Sequence, residues 1–265
     1  MTFPPYETLL VRPQDPHLLL VTLNRPTVLN ALNTQMARDL LDVFTRLATE
    51  PGTVRCVVLT GAGDKAFGAG GDLKERDGMT QAQWQAQHEL FERTFMSIME
   101  CPLPVIAALN GHAYGGGLET ALCCDFIYAS RTARFALSEV RLGIMPGGCG
   151  TQNLARAVGE RRAKELVLTA RPFTAEDGVA WGAFNQAFEA GEVLKEALAT
   201  ARTICDNAPL SVRQAKKSIH YGLQMDLLTG YRFEIEAYNR LVDTEDRLEG
   251  VRAFNEKRKP VFIGR

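Results

Sequence analysis

The sequence has almost no net charge and no long hydrophobic run. Its 265 residues carry a formal net charge of −1, so the chain has no general attraction to nucleic acid or to acidic membranes. No apolar stretch approaches the roughly 20 residues that a membrane span needs. The N-terminal segment MTFPPYETLLVRPQD lacks a basic region followed by an apolar one, so we expect no signal peptide and a cytoplasmic protein.

Cysteines are few, and their spacing is that of neither a metal site nor a disulfide framework. There are six in the whole chain. Cys123 and Cys124 are adjacent within an apolar run, which is typical of reduced, buried thiols. We therefore expect no metal ligands.

Strand-like and helix-like segments alternate from the N-terminus to the region around position 140. The strand patterns are LLLVTLNRP (18–26), RCVVLTG (55–61), PVIAALNG (104–111), DFIYAS (125–130) and ARFAL (133–137). Helical spacing of apolar residues covers 33–50 and 80–101. This alternation predicts an α/β protein with a parallel sheet flanked by helices. Beyond residue 150 nearly every segment is helical, and a polarity break near Ala190 predicts a second unit.

Glycine-rich segments interrupt this pattern three times. The first, LTGAGDKAFGAGGDLKER (59–76), follows a strand and matches the dinucleotide pattern G-x-G-x-x-A. That pattern requires a helix directly after the turn, whereas a second glycine cluster follows here. A nicotinamide site is therefore disfavoured.

The second segment, NGHAYGGGLETALCCDF (110–126), places three glycines before an apolar helix that contains Glu119. Free N–H groups at a helix start suit an oxygen that carries or develops negative charge. No Walker lysine follows, which argues against a nucleoside triphosphate. The glycines could equally serve close packing of the helix on the sheet, and the residues alone leave both interpretations open.

The third segment, SEVRLGIMPGGCGTQ (138–152), begins with Glu139 after a short apolar strand. A single glutamate in such a place is more often a solvated loop residue than a catalyst. Together, however, the motifs AGGDLKE, NGHAYGGGLETALCCD and SEVRLGIMPGGCGTQ resemble the crotonase family. These are coenzyme A thioester enzymes that include enoyl-CoA hydratase. The resemblance extends from NRPTVLNAL to AFNEKRKPVFIGR.

The resemblance implies a fold and an assembly. Residues 1–190 would form a crotonase-like ββα spiral core that holds the active site. Residues 191–265 would form a C-terminal helical trimerisation module, and the protein would be a trimer or a homohexamer built as a dimer of trimers.

The resemblance also implies four catalytic positions. The backbone N–H groups of Gly71 and Gly116 would bind the thioester oxygen, on which negative charge develops. Glu119 would activate a water that attacks Cβ, and Glu139 would deliver a proton to Cα. Two carboxylates around one water can hold one proton between them in a dry pocket.

Binding of coenzyme A is implied at a further set of positions. They are Ala69, Gly71, Asp72, Leu73, Lys74 and Gly116 in the chain itself, with Tyr238, Phe254 and Lys257 serving the site of a neighbouring subunit. Trp84, His88 and Phe91 on the helix 80–101 are expected to line the acyl pocket. No cofactor is expected, because coenzyme A is part of the substrate. The sequence departs from the family at Cys149, where glycine is usual.

The implied activity is syn hydration of a 2-enoyl-CoA to the 3-hydroxyacyl-CoA, in fatty acid metabolism. Alternatives are a Δ3-Δ2 enoyl-CoA isomerase and a hydratase of a branched substrate, because DLKERDGM is similar to the corresponding loop of methylglutaconyl-CoA hydratases. RNA binding would need a lysine-rich helix 33–50. That helix carries only Arg38 and Arg46 as cations, against three acidic residues.

Overall fold

A six-stranded sheet forms the centre of the protein, whose computed structural model describes residues 2–265. In spatial order its strands are β1 (Leu9–Asp15), β2 (Leu18–Leu23), β3 (Cys56–Gly61), β5 (Val105–Leu109), β7 (Phe126–Ser130) and β10 (Gln186–Phe188). Strand β1 pairs with β2 in the antiparallel direction, and all other pairs are parallel. The predicted parallel sheet is confirmed.

A second, smaller sheet lies beside the first. Its strands are β4 (Ala66–Gly68), β6 (His112–Tyr114), β8 (Arg134–Ala136) and β9 (Phe173–Thr174). Each of the first three directly follows a strand of the large sheet, so the chain repeats a strand–strand–helix unit. This arrangement is a mixed α/β fold consistent with the predicted ββα core. Only β8 was expected from the sequence, because it lies within the longer strand-like segment ARFAL. The other three strands have two or three residues outside any such segment, too few to show an alternating pattern.

The helices begin where capping residues allow. In α1 (Thr34–Thr49) the Asn33 side chain accepts a hydrogen bond of 2.9 Å from the N–H of Met36. In α3 (Gln81–Met99) Thr80 and Gln83 cap each other's backbone reciprocally. Both helices agree with their predicted ranges to within two residues. The other helices before the predicted boundary are α2 (Leu73–Arg76), α4 (Gly116–Leu122), α5 (Gly150–Val158), α6 (Glu160–Thr169) and α7 (Ala175–Trp181).

Both faces of the large sheet are buried. One face packs against α1 and α3, and the other packs against α8 (Val193–Cys205) through Val193, Ala197 and Ala201. Burial on both faces explains why the parallel strands are continuously apolar. Helix α8 lies beyond the boundary predicted at residue 190, yet it packs on the core sheet. The division at that residue stays a prediction.

The last three helices bury little of their own surface. They are α9 (Pro209–Gly222), α10 (Leu227–Asn239) and α11 (Glu245–Asn255). Only Ala237, Asp246 and Ala253 are buried among their residues, while several large apolar side chains are exposed. Along residues 2–265, no helix is both long enough and apolar enough to cross a membrane. All six cysteines are free thiols, and four of them are buried.

Candidate active site

A cavity of about 730 Å³ lies where the three glycine-rich segments meet. The loop after β4, the start of α4 and the segment after β8 form one side, and α3 forms the other. This convergence follows from the fold, because β4, β6 and β8 are parallel neighbours whose carboxyl ends share one edge. Segments that are far apart in the sequence therefore surround one space.

All four predicted catalytic residues line this cavity, namely Gly71, Gly116, Glu119 and Glu139. So do Ala69 and Leu73 of the predicted coenzyme A path, and the predicted acyl-pocket residues Trp84, His88 and Phe91. Asp72 and Lys74 are not in the lining. Asp72 instead caps α2 and forms an ion pair of 2.9 Å with Arg25.

Tyr238, Phe254 and Lys257 do not reach the cavity of their own chain. Tyr238 and Phe254 lie on α10 and α11 with 67% and 83% of their surface exposed. Their assignment to the site of a neighbouring subunit stays a prediction.

Two backbone N–H groups are available to a ligand at one end of the cavity. The bridge between Leu32 and Gly71 uses the N–H groups of Leu32 and Asp72, so the N–H of Gly71 lies outside the ladder. Gly116 is the first residue of α4, where an N–H has no partner within the helix. The two residues are neighbours, since a Cβ added to Gly116 would lie 3.8 Å from the nitrogen of Gly71.

The three consecutive glycines serve different purposes. Gly115 has φ +48° and ψ −128°, and an added Cβ would lie 3.1 Å from the Oε1 atom of Glu139. Gly117 touches β4 so closely that a Cβ would lie 2.1 Å from the carbonyl oxygen of Gly68. Close packing thus accounts for Gly117, whereas a Cβ at Gly116 would make only ordinary contacts.

Glu119 is buried but well supplied with hydrogen bonds. Its Oε1 atom accepts the N–H of Gly148 at 2.7 Å and the N–H of Gly150 at 3.0 Å. Burial and the nearby charge of Glu139 raise the pKa of Glu119 to about 7, although the two N–H groups oppose this shift. The residue can therefore exchange a proton near neutral pH.

Glu139 is buried without such support. The residue is 8% exposed, and within the described part of the chain neither carboxylate oxygen has a hydrogen-bond partner. Burial raises the pKa of this carboxyl group, although the nearby backbone N–H groups of Ser138 and Glu139 itself oppose this shift. A buried carboxylate without donors is costly, so Glu139 holds a proton more readily than an exposed glutamate does.

The sequence pattern missed the role of the third glycine-rich segment. It indicated only Glu139 there, but the segment also supplies both N–H donors to Glu119. A Cβ at Gly150 would lie 2.7 Å from the Oε1 atom of Glu119, and Cys149 between the donors has φ +66°. A run of glycines around a left-handed residue indicated a tight loop, but not which side chain it holds.

Arg76 is a cavity residue that the sequence pattern did not indicate. It lines the cavity, and its guanidinium lies over the rings of Trp84 and Phe91.

Within residues 2–265 no group of His, Cys, Asp and Glu is arranged to hold a metal ion.

Comparison with known proteins agrees with this geometry. The sequence model of the family described as Enoyl-CoA hydratase/isomerase matches residues 14–265. The short-chain-enoyl-CoA hydratase of Clostridium acetobutylicum is 41% identical, over 90% of this chain and 91% of that protein. The crotonyl-CoA hydratase of Syntrophomonas wolfei is 36% identical, over 98% and 99%. The crystal structure of enoyl-CoA hydratase from Bacillus anthracis superimposes with a TM-score of 0.95 at 40% identity, over 98% of this chain and all of that one.

Proposed function

The chain belongs to the enoyl-CoA hydratase/isomerase family, and we propose from this premise that it is a hydro-lyase acting on 2-enoyl-CoA thioesters. The reaction adds water across the double bond and gives the 3-hydroxyacyl-CoA. The observation that carries the proposal is the pair of buried carboxylates, Glu119 and Glu139, in one cavity with two free N–H donors.

The N–H groups of Gly71 and Gly116 bind the thioester oxygen in this mechanism. Attack on Cβ builds enolate charge on that oxygen, and fixed donors stabilise it without reorganisation. Gly116 adds the positive end of the α4 dipole. One such donor typically contributes about 3–4 kcal/mol to transition-state stabilisation.

The two carboxylates divide the proton transfers. Glu119, whose carboxylate is held in place by two N–H groups, takes a proton from the water as the water oxygen bonds to Cβ. Glu139, which lacks donors, gives its proton to Cα as the enolate collapses. Both carboxyls line the same cavity, and in this mechanism they act on the same face of the double bond, which gives syn addition. A proton passing from Glu119 to Glu139 restores the starting state.

The double-bond isomerase is the second candidate activity. It needs one group that removes a proton from one carbon and returns it to another, so a single carboxylate is sufficient. Two carboxylates with opposite hydrogen bonding favour hydration, because hydration requires a base and an acid together. We therefore expect a 3-enoyl-CoA to be converted much more slowly than a 2-enoyl-CoA.

Hydration of crotonyl-CoA, followed as the loss of the conjugated thioester absorbance, tests this function. Glu119→Gln and Glu139→Gln should each lower turnover by about 10²- to 10⁴-fold, the usual range for general acid–base groups. Substrate affinity should change far less. Near-parental turnover in either variant would rule out the two-carboxylate mechanism.

The finer features are also proposals. We expect a trimer or a dimer of trimers in which Tyr238, Phe254 and Lys257 complete the coenzyme A site of a neighbouring copy, and their position outside their own cavity supports this.

Asp72 would act by shaping the loop through its cap on α2 and its ion pair with Arg25. A role in fatty acid metabolism, a cytoplasmic location and the lack of a resident cofactor remain predictions.

A further inference from the structure

Arg76 is a partly buried cation that uses only part of its hydrogen-bonding capacity within the described residues. Its Nε atom donates to the Oε1 atom of Gln87 at 2.8 Å. The Cζ atom lies 4.3 Å from the ring centroid of Trp84 and 5.2 Å from that of Phe91. Among the described residues, the terminal Nη1 and Nη2 groups have neither a hydrogen-bond acceptor nor a carboxylate at ion-pair distance.

Gln87 fixes the orientation of this guanidinium. The side chain of Gln87 is buried, and its amide nitrogen donates to the Oγ1 atom of Thr34 and to Glu75, both at 2.8 Å. The Oε1 atom of Gln87 must therefore point to Arg76. Gln87 holds the Nε atom, and the two aromatic rings lie against the guanidinium. The free edge formed by Nη1 and Nη2 is therefore preorganised for a planar acceptor with two oxygens, such as a carboxylate.

The position of Arg76 is at the acyl end of the cavity. A Cβ added to Gly71 would lie 3.5 Å from its Cζ atom and 3.6 Å from its Nη1 atom. Gly71 is the proposed donor to the thioester oxygen, and Trp84 and Phe91 belong to the acyl wall. The guanidinium is thus close to where the first carbons of the acyl chain would lie.

The cavity contains both acidic and basic side chains, and their charges affect which acyl chains can bind. Glu119 and Glu139 would repel a substrate with an anionic group on its acyl chain. Arg141 also lines the cavity, but it is exposed to solvent, which screens its charge. Partial burial lowers the pKa of Arg76, although the nearby charges of Glu75 and Glu119 oppose this shift. An anion in direct contact with its Nη groups would replace part of its lost hydration.

We propose that the preferred substrate is a short 2-enoyl thioester with a carboxylate on its acyl chain, and that Arg76 binds this carboxylate through its two Nη groups. The proposal rests on the proposed hydratase function, and it makes Arg76 a residue that determines specificity. The closeness of Arg76 to Gly71 limits the carboxylate to a position one or two carbons beyond the double bond.

The test compares two thioesters that differ by this one group. Crotonyl-CoA is the neutral probe, and glutaconyl-CoA carries a carboxylate on the carbon that is the methyl group of crotonyl-CoA. We expect the parental enzyme to show the higher kcat/KM with glutaconyl-CoA. Arg76→Met should lower kcat/KM for glutaconyl-CoA by about 10²-fold, as for the loss of a buried charged hydrogen bond. The loss for crotonyl-CoA should be at least about tenfold smaller, since for that substrate only the charge of Arg76 near Glu119 is removed.

Two further variants define the cause. Arg76→Lys keeps the charge without the planar pair of donors, so it should recover only part of the loss on glutaconyl-CoA. Arg93→Met is the matched control, because Arg93 is an exposed arginine on α3 outside the cavity, and it should leave the ratio of the two substrates unchanged.

A measurement on the unaltered protein avoids any dependence on folding of the variants. Glutaryl-CoA and butyryl-CoA are saturated analogues that differ by the same carboxylate. Glutaryl-CoA should inhibit crotonyl-CoA hydration at a concentration at least about tenfold lower, if one buried charged pair is gained.

The outcomes separate the proposals. Equal inhibition by the two analogues, or an equal loss on both substrates in Arg76→Met, would overturn the carboxylate role. If Arg76→Met raises KM equally for both substrates and leaves kcat unchanged, Arg76 contacts a phosphate of coenzyme A instead. That result would also overturn the carboxylate role. If neither thioester is hydrated by the parental enzyme, the proposed function itself fails.

Discussion

The buried environment of Glu119 lowers the free energy of unfolding of the protein at neutral and higher pH. In the unfolded chain the carboxyl group titrates near 4.5, whereas in the folded protein its pKa is about 7. Below pH 4.5 the group is protonated in both states, so its raised pKa does not lower the free energy of unfolding. As pH rises from 4.5 to 7, the unfolded chain loses the proton more readily, so the free energy of unfolding falls.

Glu119→Gln should therefore stabilise the protein at high pH while it removes activity. The amide oxygen can still accept the N–H groups of Gly148 and Gly150, but the buried charge is gone. We expect the variant to exceed the parent at pH 8 by up to about 3 kcal/mol in the free energy of unfolding. Denaturant unfolding of both proteins at pH 5 and pH 8 measures this difference.

The difference between the two proteins is the quantity to compare, since other carboxyl groups change the stability of both. It should be small at pH 5 and grow towards pH 8. A difference that is constant across this range would show that the pKa of Glu119 is not raised.

Gly116→Pro tests the backbone donor at the start of α4. Proline is favoured at the first position of a helix, so the substitution should preserve the fold while it removes the N–H group. Turnover per folded molecule should fall by at least about 10²- to 10³-fold, as for other lost oxyanion donors. The folded fraction is taken from a melting curve recorded beside the assay.

Gly116→Ala is the matched control, because it keeps the N–H group and its Cβ would be 3.8–3.9 Å from the nearest atoms. It should retain most of the activity that Gly116→Pro loses. If both variants turn over equally well per folded molecule, Gly116 does not supply the donor.

At the scale of elements, the contact between α4 and β4 positions the whole site. Gly117 is in contact with the backbone of Gly68, and a Cβ there would lie 2.1 Å from a carbonyl oxygen that cannot move without breaking the small sheet. Gly117→Ala should therefore cost at least about 3 kcal/mol, the scale of severe overpacking, or prevent folding.

The comparison with Gly116→Ala, one position earlier in the same helix, separates packing from helix propensity. Both variants gain a methyl group, but only the one at position 117 would clash with backbone atoms. The measurement is the melting temperature of each protein. Similar melting temperatures for the two variants would contradict the close contact of α4 with β4.

At the scale of the whole molecule, the C-terminal helices expose more apolar surface than a monomer should. Leu223, Leu227 and Phe254 are each at least 80% exposed, and Leu228, Tyr231 and Tyr238 are more than half exposed. We expect light scattering at micromolar concentration to give the mass of a trimer or a hexamer. A monomer would remove the basis for assigning Lys257 to a neighbouring site.

Leu227→Glu should weaken this assembly, because it places a charge in an apolar interface. Leu168→Glu is the control, since Leu168 on α6 is also a highly exposed leucine but lies outside the C-terminal helices. Light scattering over a dilution series should show dissociation of the first variant alone. Equal behaviour of the two variants would argue against this surface.

Sequence alone determined the long elements and the presence of a glycine-based site. The strands of the large sheet between residues 18 and 130, together with α1 and α3, carry enough apolar periodicity and capping to be predicted within a few residues. The motifs around Gly71, Gly116, Glu119 and Glu139 pointed to chemistry on a coenzyme A thioester, and the family membership is confirmed.

Tertiary structure alone decided the contacts that make this site work. The short strands β4, β6 and β9 are held by pairing rather than by local pattern. Gly148 and Gly150 reach Glu119 from a different segment of the chain, and Arg76 turns into the cavity because buried Gln87 holds it. These contacts depend on distances between segments far apart in the chain, which no local spacing of residues encodes.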